Sequence, residues 1–78
     1  MKKWQTNYDG NTIVVENGIG GERLYVNGEL QDELIGIFAS RSRLWGHLQN
    51  GETIKVSLGG TFRIHCRIFV NDKLVLSE

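Results

Sequence analysis

The same short pattern occurs twice in the chain, and this repeat restricts the fold more than any other feature of the sequence. Residues 23–30 have the sequence RLYVNGEL and residues 67–74 have the sequence RIFVNDKL, with Arg, Val, Asn and Leu in register. Asn-Gly is a strong signal for a two-residue hairpin turn, because both turn positions need a positive φ that Asn and Gly tolerate. Asn-Asp is a weaker form of the same signal. Each copy therefore predicts a strand, a tight turn and the start of a returning strand.

Another hairpin signal, Asp-Gly, lies at residues 9–10. Pairing outward from this turn sets Thr6 opposite Ile13 and Trp4 opposite Val15. Trp4, Ile13 and Val15 then share one face of the sheet, which we expect to be buried.

The other turns predict registers in the same way. The turn of the first repeat copy sets Arg23 opposite Asp32, and the Asn-Gly pair at residues 50–51 sets Trp45 opposite Val56. Because every position in a strand faces one side of its sheet, each of these registers also predicts which side chains share a face.

The segments between these turns give weaker signals. Residues 17–21 (NGIGG) resemble a phosphate loop in composition, but the strand-like stretch that follows predicts a flexible loop instead. Residues 31–43 have no clear periodicity, and a helical turn over residues 30–34 is one alternative there. Residues 61–70 alternate between polar and apolar, which predicts one long half-buried strand. The apolar side of that strand comprises Phe62, Ile64, Cys66, Ile68 and Val70.

Turn signals recur about every ten residues, without proline or an amphipathic helical pattern. The chain is therefore predicted to be all-β, an antiparallel β-sandwich or small barrel of about seven or eight strands built from successive hairpins. A length of 78 residues predicts a single domain over residues 1–78. Cys66 is the only cysteine, so no disulfide can form within the chain, and self-association is the remaining support for so small a core.

The charges of the chain cancel, with nine Lys and Arg against nine Asp and Glu. Zero net charge argues against a dedicated nucleic-acid binder. Residues 1–40 nevertheless carry a net charge of −3 and residues 41–78 a net charge of +3. If the halves form separate surfaces, the molecule is dipolar, whereas interleaved halves would remove the asymmetry. The start of the chain has no signal-peptide pattern and no apolar run approaches about 20 residues, so we expect a cytoplasmic protein without a membrane partner.

Two outward pairs of apolar side chains are the best candidates for an interface. Tyr25 pairs with Leu30 in the first repeat copy, and Phe69 pairs with Leu74 in the second. An exposed apolar pair at two equivalent places favours contact with another protein, including a second copy of this chain. The alternative is that long side chains or the termini cover the pairs. The inward positions, expected in the core, are Leu24, Val26, Ile68 and Val70.

A stripe of three basic or titratable side chains is the candidate site for an anion. Arg63, His65 and Arg67 stand at alternate positions, about 7 Å apart on one strand face. Such a stripe suits a phosphate or an acidic protein surface, and its alternative is a solvated strand face.

Two tryptophans are candidates for stacking on a sugar, with packing as the alternative: Trp4 and Trp45. Catalysis finds little support in the sequence. Cys66 is expected to point inward, where a thiol is inert, and His65 points to the opposite face. His47 and His65 are two zinc ligands at most, without a third. We therefore predict no catalytic residues, no metal and no cofactor.

Four short segments lie within residues 23–76: residues 26–28 (VNG), 48–51 (LQNG), 54–56 (IKV) and, after a long alternating strand, 70–74 (VNDKL). In these segments, residues 23–76 resemble the Fas apoptotic inhibitory molecule family. The resemblance implies a β-sandwich module without catalytic activity that acts through protein contacts. It assigns no functional residue and does not extend to the N-terminal hairpin.

The sequence thus leads to three hypotheses. The first is a non-enzymatic protein–protein interaction module that forms a homodimer in the cytoplasm. The second is a small-ligand binding β-sandwich, for an anion or a carbohydrate. The third is a small hydrolase or isomerase that uses His47 or His65, and it would need a pocket that joins a histidine to a carboxylate.

Overall fold

The protein is an eight-stranded antiparallel β-sandwich. The computed structural model describes residues 1–36, 41–60 and 62–78, without the side chain of residue 41. Strands make up 72% of the described residues, which contain no helix, so the predicted all-β class is confirmed. The strands are β1 (Lys2–Tyr8), β2 (Asn11–Gly18), β3 (Gly21–Val26), β4 (Glu29–Ile35), β5 (Arg41–His47), β6 (Thr53–Gly59), β7 (His65–Val70) and β8 (Lys73–Ser77).

The eight strands form two sheets of four, each a simple succession of hairpins. The first sheet has the order β1-β2-β3-β4 and the second has the order β5-β6-β7-β8. The acidic and the basic halves of the chain therefore do not interleave, because each half builds its own sheet. Residues 17–21 are not a flexible loop: β2 continues to Gly18, β3 begins at Gly21, and only residues 19–20 form the turn between them.

Three tight turns have the predicted two-residue form. Both central positions of each turn have positive φ, as this turn type requires. The angles are 49° and 80° at Asp9 and Gly10, 52° and 83° at Asn27 and Gly28, and 47° and 66° at Asn71 and Asp72.

The asparagine of each repeat copy also joins its hairpin to the preceding strand. The backbone N–H of Asn27 donates to the Thr12 carbonyl oxygen at 2.8 Å, and the Thr12 N–H donates to Asn27 Oδ1 at 2.9 Å. Asn71 and Thr53 make the same two bonds at 2.8 and 2.9 Å. Asparagine therefore serves twice at this position, in the turn and in the ladder of hydrogen bonds.

The predicted register between β3 and β4 is correct up to the pair of Tyr25 with Leu30 and wrong beyond it. Tyr25 lies opposite Leu30 as expected, but Leu24 then lies opposite Asp32 and Arg23 opposite Glu33. One extra residue in β4, Gln31, forms a β-bulge between these pairs. The second copy has the same irregularity, since Phe69 pairs with Leu74 and Ile68 pairs with Leu76.

The hairpin between β5 and β6 is also one residue out of the predicted register. Trp45 lies opposite Lys55, not opposite Val56. The Leu48 N–H donates to the Glu52 carbonyl at 2.9 Å and the Gly51 N–H donates to the Leu48 carbonyl at 3.0 Å, so the loop has three residues. Asn-Gly here closes a turn followed by a bulge, in which only Gly51 has a positive φ, of 92°.

The alternation over residues 61–70 overestimates the length of its strand, and Thr61 lies outside the described residues. β7 begins only at His65, Ile64 is half-buried and Phe62 is fully exposed. The cause lies at Gly60, which has a φ of 149°. A Cβ at Gly60 would lie 1.8 Å from the Arg63 carbonyl oxygen, so the backbone folds back on itself before the strand begins.

The stretch around residues 31–43 contains strand at both ends. Residues 30–34 belong to β4, so the helical alternative for them is wrong. Gly36, with a φ of 144°, follows the end of β4. β5 already includes residues 41–43, and residues 37–40 lie outside the described part of the chain.

The core lies between the inner faces of the two sheets and is entirely apolar at its centre. The predicted inward positions of both repeat copies are buried there, as are the three predicted on the N-terminal hairpin. Fully burying one such side chain stabilises the fold by about 1.5–3 kcal/mol. The buried apolar residues are Trp4, Ile13, Val15, Leu24, Val26, Leu44, Leu48, Ile54, Val56, Leu58, Cys66, Ile68 and Val70.

Polar side chains of the first sheet bind the exposed edge of β5. The N–H of Trp45 donates to Asp32 Oδ2 at 2.8 Å, and the N–H of His47 donates to Gln31 Oε1 at 3.3 Å. The bulge in β4 turns these two acceptors toward β5. The two sheets are thus connected at this corner by hydrogen bonds that would otherwise be left to water at the sheet edge.

Candidate functional site: a basic face with two aromatic rings

The outward side of the second sheet carries basic and aromatic side chains in two adjacent rows. Strand pairing aligns Arg43, Ser57 and Arg67 across β5, β6 and β7. The next row contains Trp45, Lys55, Phe69 and Leu74. Neighbouring strands lie about 4.8 Å apart and rows on one face about 7 Å apart. We call these seven residues, together with His65, the basic face.

The core fixes the outward direction of these side chains. Leu44, Val56 and Ile68 are fully buried, and they alternate with members of the basic face along their strands. Because successive side chains in a strand point to opposite faces, Arg43, Trp45 and their partners must point to solvent. The core and the basic face are therefore set by one pattern.

The middle strand gives this face an open trough. Between the long side chains of β5 and β7, β6 contributes only Ser57 and Gly59 to the outward side at this end. The resulting depression has a volume of about 770 Å³, and Arg43, His65 and Arg67 line it. A floor of small residues between basic walls suits a polyatomic anion better than a flat strand surface would.

The cations of this face have no acidic partners among the described residues. The one ion pair found in that part of the chain joins Arg23 Nε to Glu33 Oε2 at 2.8 Å, on the first sheet. The Lys55 amine lies 4.7 Å from the centre of the Phe69 ring, a cation–π contact. The guanidinium groups of Arg43 and Arg67 are therefore available to an anion from outside.

The structure brings together only part of the predicted anion stripe. His65 and Arg67 lie on β7 and line the depression, but Arg63 precedes the strand and does not line it. Arg43, on β5, lines the depression where Arg63 was expected. Sequence reasoning missed Arg43 because the predicted register across residues 50–51 was one residue out, which set Trp45, and Arg43 with it, on the face of Val56.

The two predicted stacking residues lie in different environments. Trp4 is only 3% exposed and belongs to the core of the first sheet, so its ring has no face free for a sugar. Trp45 is 50% exposed on the second sheet. Tyr8, at the end of β1, donates its hydroxyl to Glu52 Oε2 at 3.3 Å. Partial burial and the Glu52 carboxylate raise the pKa of Tyr8 above its ordinary value.

The predicted interface residues occupy equivalent places on the two sheets. Leu30 and Leu74 are each 50% exposed, beside a half-buried Tyr25 and a half-buried Phe69. On the second sheet this pair extends the row that begins with Trp45. On the first sheet it stands beside Val14, which pairs with Tyr25.

The environment of Cys66 lowers the reactivity of its thiol. Cys66 is buried, and its burial raises the pKa of its thiol to about 12, with a smaller contribution from Glu78. A thiol held in its protonated form is a poor nucleophile. Among the described residues, no group of three or more His, Cys, Asp and Glu is placed to hold a metal ion.

Comparison with models of known protein families, with curated proteins and with solved structures finds no match to this chain. The resemblance to the Fas apoptotic inhibitory molecule family therefore stays a prediction. In the part of the chain that the structure describes, no helix is long and apolar enough to cross a membrane.

Proposed function

We propose that this protein is a non-enzymatic binding module that holds an anionic ligand on its basic face. One observation carries the proposal: Arg43 and Arg67 flank Ser57 on three adjacent strands, and no carboxylate among the described residues pairs with either arginine. Surface arginines are commonly balanced by neighbouring acids, as Arg23 is by Glu33. Two arginines without such neighbours form a site that an external anion can complete.

The chemistry of these groups favours phosphate or a similar oxyanion. Two strand spacings place the backbones of Arg43 and Arg67 about 10 Å apart, and both side chains are long enough to reach inward over Ser57. Guanidinium forks bind two oxygens of an oxyanion at once, with charge-assisted hydrogen bonds. The Ser57 hydroxyl supplies a neutral donor between them, and His65 adds a group at the next row.

The test is a titration of the protein with inorganic phosphate and pyrophosphate, followed by two-dimensional NMR. We expect the largest shifts at the amides of Arg43, Ser57 and Arg67 and at the arginine side chains. Arg67→Ser should weaken binding at least about tenfold, since a charged hydrogen-bond partner contributes about 1.5–3 kcal/mol.

The repeat offers a matched control for this experiment. Arg23 occupies the position on β3 that Arg67 occupies on β7, so Arg23→Ser removes the same charge from the other sheet. This variant should bind pyrophosphate as the unchanged protein does. Equal losses from the two variants would reduce the effect to net charge and would contradict a site on the basic face.

A second candidate function is contact with another protein, including a homodimer, through the outward apolar pairs. The observation in its favour is that Leu30 and Leu74 are each half exposed beside an aromatic ring. Sedimentation equilibrium at increasing concentration tests the dimer, with Leu74→Ser and Leu30→Ser as variants. A monomer at high micromolar concentration would contradict it.

A further inference from the structure

We propose that the anion on the basic face is the backbone of a single-stranded nucleic acid, whose bases stack on the adjacent aromatic row. The inference rests on the proposed anion site and adds the class of ligand. Its basis is the order of the two rows: cations at Arg43 and Arg67, then aromatic rings at Trp45 and Phe69, one step further along the same strands.

The geometry of the two rows fits a nucleotide. Positions two apart on one strand face lie about 7 Å from each other, which is comparable to the distance from a phosphate to the base of its own nucleotide. A strand of nucleic acid can therefore place its phosphates over Ser57 while its bases point toward Trp45. Single-strand binders combine a basic groove for the backbone with aromatic rings for the bases in this way.

The aromatic row is built for stacking and not only for packing. Trp45 exposes half of its surface although it stands on a regular strand, so part of its side chain is accessible to a ligand. Lys55 separates the two rings across β6 and adds a third positive charge within the same row. Trp45 would hold a base, and Lys55, whose amine lies 4.7 Å from the centre of the Phe69 ring, would meet a neighbouring phosphate.

The charge distribution accounts for how a neutral protein can bind a polyanion. The net charge is −3 over residues 1–40 and +3 over residues 41–78, and the two halves form separate sheets. The zero net charge is a sum over the whole chain, whereas a ligand contacts only one face of the protein. The acidic half would repel a polyanion, so the polyanion would approach the second sheet.

The exposed Trp45 side chain distinguishes a single strand from a duplex. In a duplex the bases are stacked on one another, so Trp45 and Phe69 would have no base to contact. The described residues of the basic face are exposed or half-buried, so none of them is a buried hydrogen-bonding group that could identify base edges, and stacking tolerates every base. We therefore expect binding with little sequence preference and with a salt dependence set by about three phosphate contacts, a log–log slope of about −2.

The experiment measures the fluorescence anisotropy of labelled oligonucleotides of about twelve residues, a length within the usual range of site sizes. The probes are oligothymidylate, an abasic oligonucleotide of equal length, the corresponding duplex and inorganic polyphosphate. We expect oligothymidylate to bind at least about tenfold more tightly than the abasic strand, because each stacked base contributes a factor of about five to 150. The duplex should bind no better than polyphosphate.

Trp45→Gln is the decisive variant, because Gln5 stands at the equivalent position of β1 and shows that this fold accepts glutamine there. It should lose about tenfold in affinity for oligothymidylate and keep its affinity for polyphosphate within about twofold. Val14→Ala, which changes the outward row of the first sheet, is the control and should leave both affinities unchanged. Thermal unfolding of each variant confirms that it is folded.

The outcomes separate this inference from the proposed function. If polyphosphate and the abasic strand bind as tightly as oligothymidylate, the nucleic-acid inference is overturned while the anion site stands. If no probe binds, both are overturned. Tighter binding to the duplex, or to an acidic peptide of equal charge, would also overturn the inference, because neither presents free bases to Trp45.

Discussion

The two sheets of this protein are built to one plan, and they differ most on their outer faces. Both have the same strand order, an Asn-centred turn between the third and fourth strands and a bulge in the fourth strand. Their inner faces carry nearly the same side chains, fully or almost fully buried. The equivalent inner pairs are Ile13 with Ile54, Val15 with Val56, Leu24 with Ile68, and Val26 with Val70.

The outer faces use the same positions for different chemistry. On the first sheet, one row alternates in charge: Lys3, Glu16, Arg23 and Glu33. The equivalent row of the second sheet has serine in place of each acid: Arg43, Ser57, Arg67 and Ser77. Packing restricts the inner positions, so the outer positions are where copies of one hairpin unit can acquire separate functions. The first sheet pairs Arg23 with Glu33, whereas no described carboxylate forms an ion pair with Arg43 or Arg67 on the second sheet.

The edges of the sheets differ as well. The bulged fourth strand of the first sheet directs Gln31 and Asp32 to the N–H groups of β5. The equivalent residues of β8 are Val75 and Leu76, which are half-buried and pack against the core. One corner of the sandwich is therefore connected through polar groups and the other through apolar contacts.

The core should show the equivalence of the two sheets most strongly. Leu24→Ala and Ile68→Ala each remove a fully buried side chain at equivalent positions, so each should lower the free energy of unfolding by about 2–5 kcal/mol. Urea denaturation followed by circular dichroism measures both. Leu30→Ala, at a half-exposed site, is the control and should cost less than about 1 kcal/mol. A loss below about 1 kcal/mol at only one core position would break the equivalence.

The connections between the second and third strands of each sheet both depend on a glycine with close backbone contacts. A Cβ at Gly21, whose φ is 140°, would lie 2.0 Å from the Leu34 carbonyl oxygen, so Gly21→Ala should cost at least about 2 kcal/mol. Gly60→Ala should lower the stability by a similar amount, because a Cβ at Gly60 would lie against the Arg63 carbonyl oxygen. The neighbouring Gly20 has open space at this position, and Gly20→Ala should change stability by less than about 1 kcal/mol. Thermal unfolding measures the series, and a well-tolerated Gly21→Ala would show that this contact can relax.

The repeated asparagines should contribute equally. Asn27→Ala and Asn71→Ala each put alanine, which tolerates positive φ less well than asparagine, in a left-handed conformation. Each also removes the side-chain acceptor of a backbone N–H. The two effects together should cost about 1–3 kcal/mol in each hairpin. Glycine tolerates the same φ, so Asn27→Gly isolates the lost hydrogen bond at about 1 kcal/mol. Losses that differ by more than about 1 kcal/mol between the two copies would argue against a shared role.

At one buried position the sheets carry different ionisable groups, Glu22 on β3 and Cys66 on β7. Glu22 accepts a short hydrogen bond from the Ser42 hydroxyl across the two sheets, whereas Cys66 lies among apolar side chains. The pKa of Cys66 is raised to about 12 from 9. The folded state therefore disfavours the thiolate. The contribution of Cys66 to the free energy of unfolding is retained below pH 9 and falls as the pH rises toward 12. Cys66→Ala should flatten this loss in urea denaturation series across the alkaline range, and an unchanged slope would assign the loss to other groups.

Much of the fold could be predicted from the sequence, because the turns and the core obey local rules. Asp-Gly, Asn-Gly and Asn-Asp specify their φ angles directly, and the inward positions of both repeat copies are buried as expected. The alternation of residues 61–70 was a less reliable guide, since the backbone at Gly60 interrupts it. A bend of this kind depends on contact between backbone atoms, which the pattern of side chains does not record.

The candidate site was harder to predict because it depends on register. The same dipeptide forms a two-residue turn at residues 27–28 and part of a three-residue loop at residues 50–51, and the difference shifts Trp45 and Arg43 to the other face. The sequence did contain a signal for the correct face. Leu44 and Leu48 share the face opposite to Trp45, and two leucines indicate the buried face more strongly than one tryptophan does. The sequence repeat already matched Arg23 with Arg67, but only the paired strands show that Ser57 is the equivalent of Glu16.

The smallest expected change in stability is also the most direct test of how the two outer faces differ. Ser57→Glu gives the second sheet the acid that Glu16 provides on the first, directly opposite Arg67, and Glu16→Ser makes the reverse change beside Arg23. Exposed charges of this kind contribute about 0–1 kcal/mol, so both variants should unfold within about 0.5 kcal/mol of the unchanged protein. Ser57→Glu should nevertheless weaken pyrophosphate binding at least about tenfold, because the new carboxylate competes for the arginine and repels the ligand. Glu16→Ser should leave that affinity intact, and calorimetric titration that finds equal losses in both variants would show that the basic face is not the binding site.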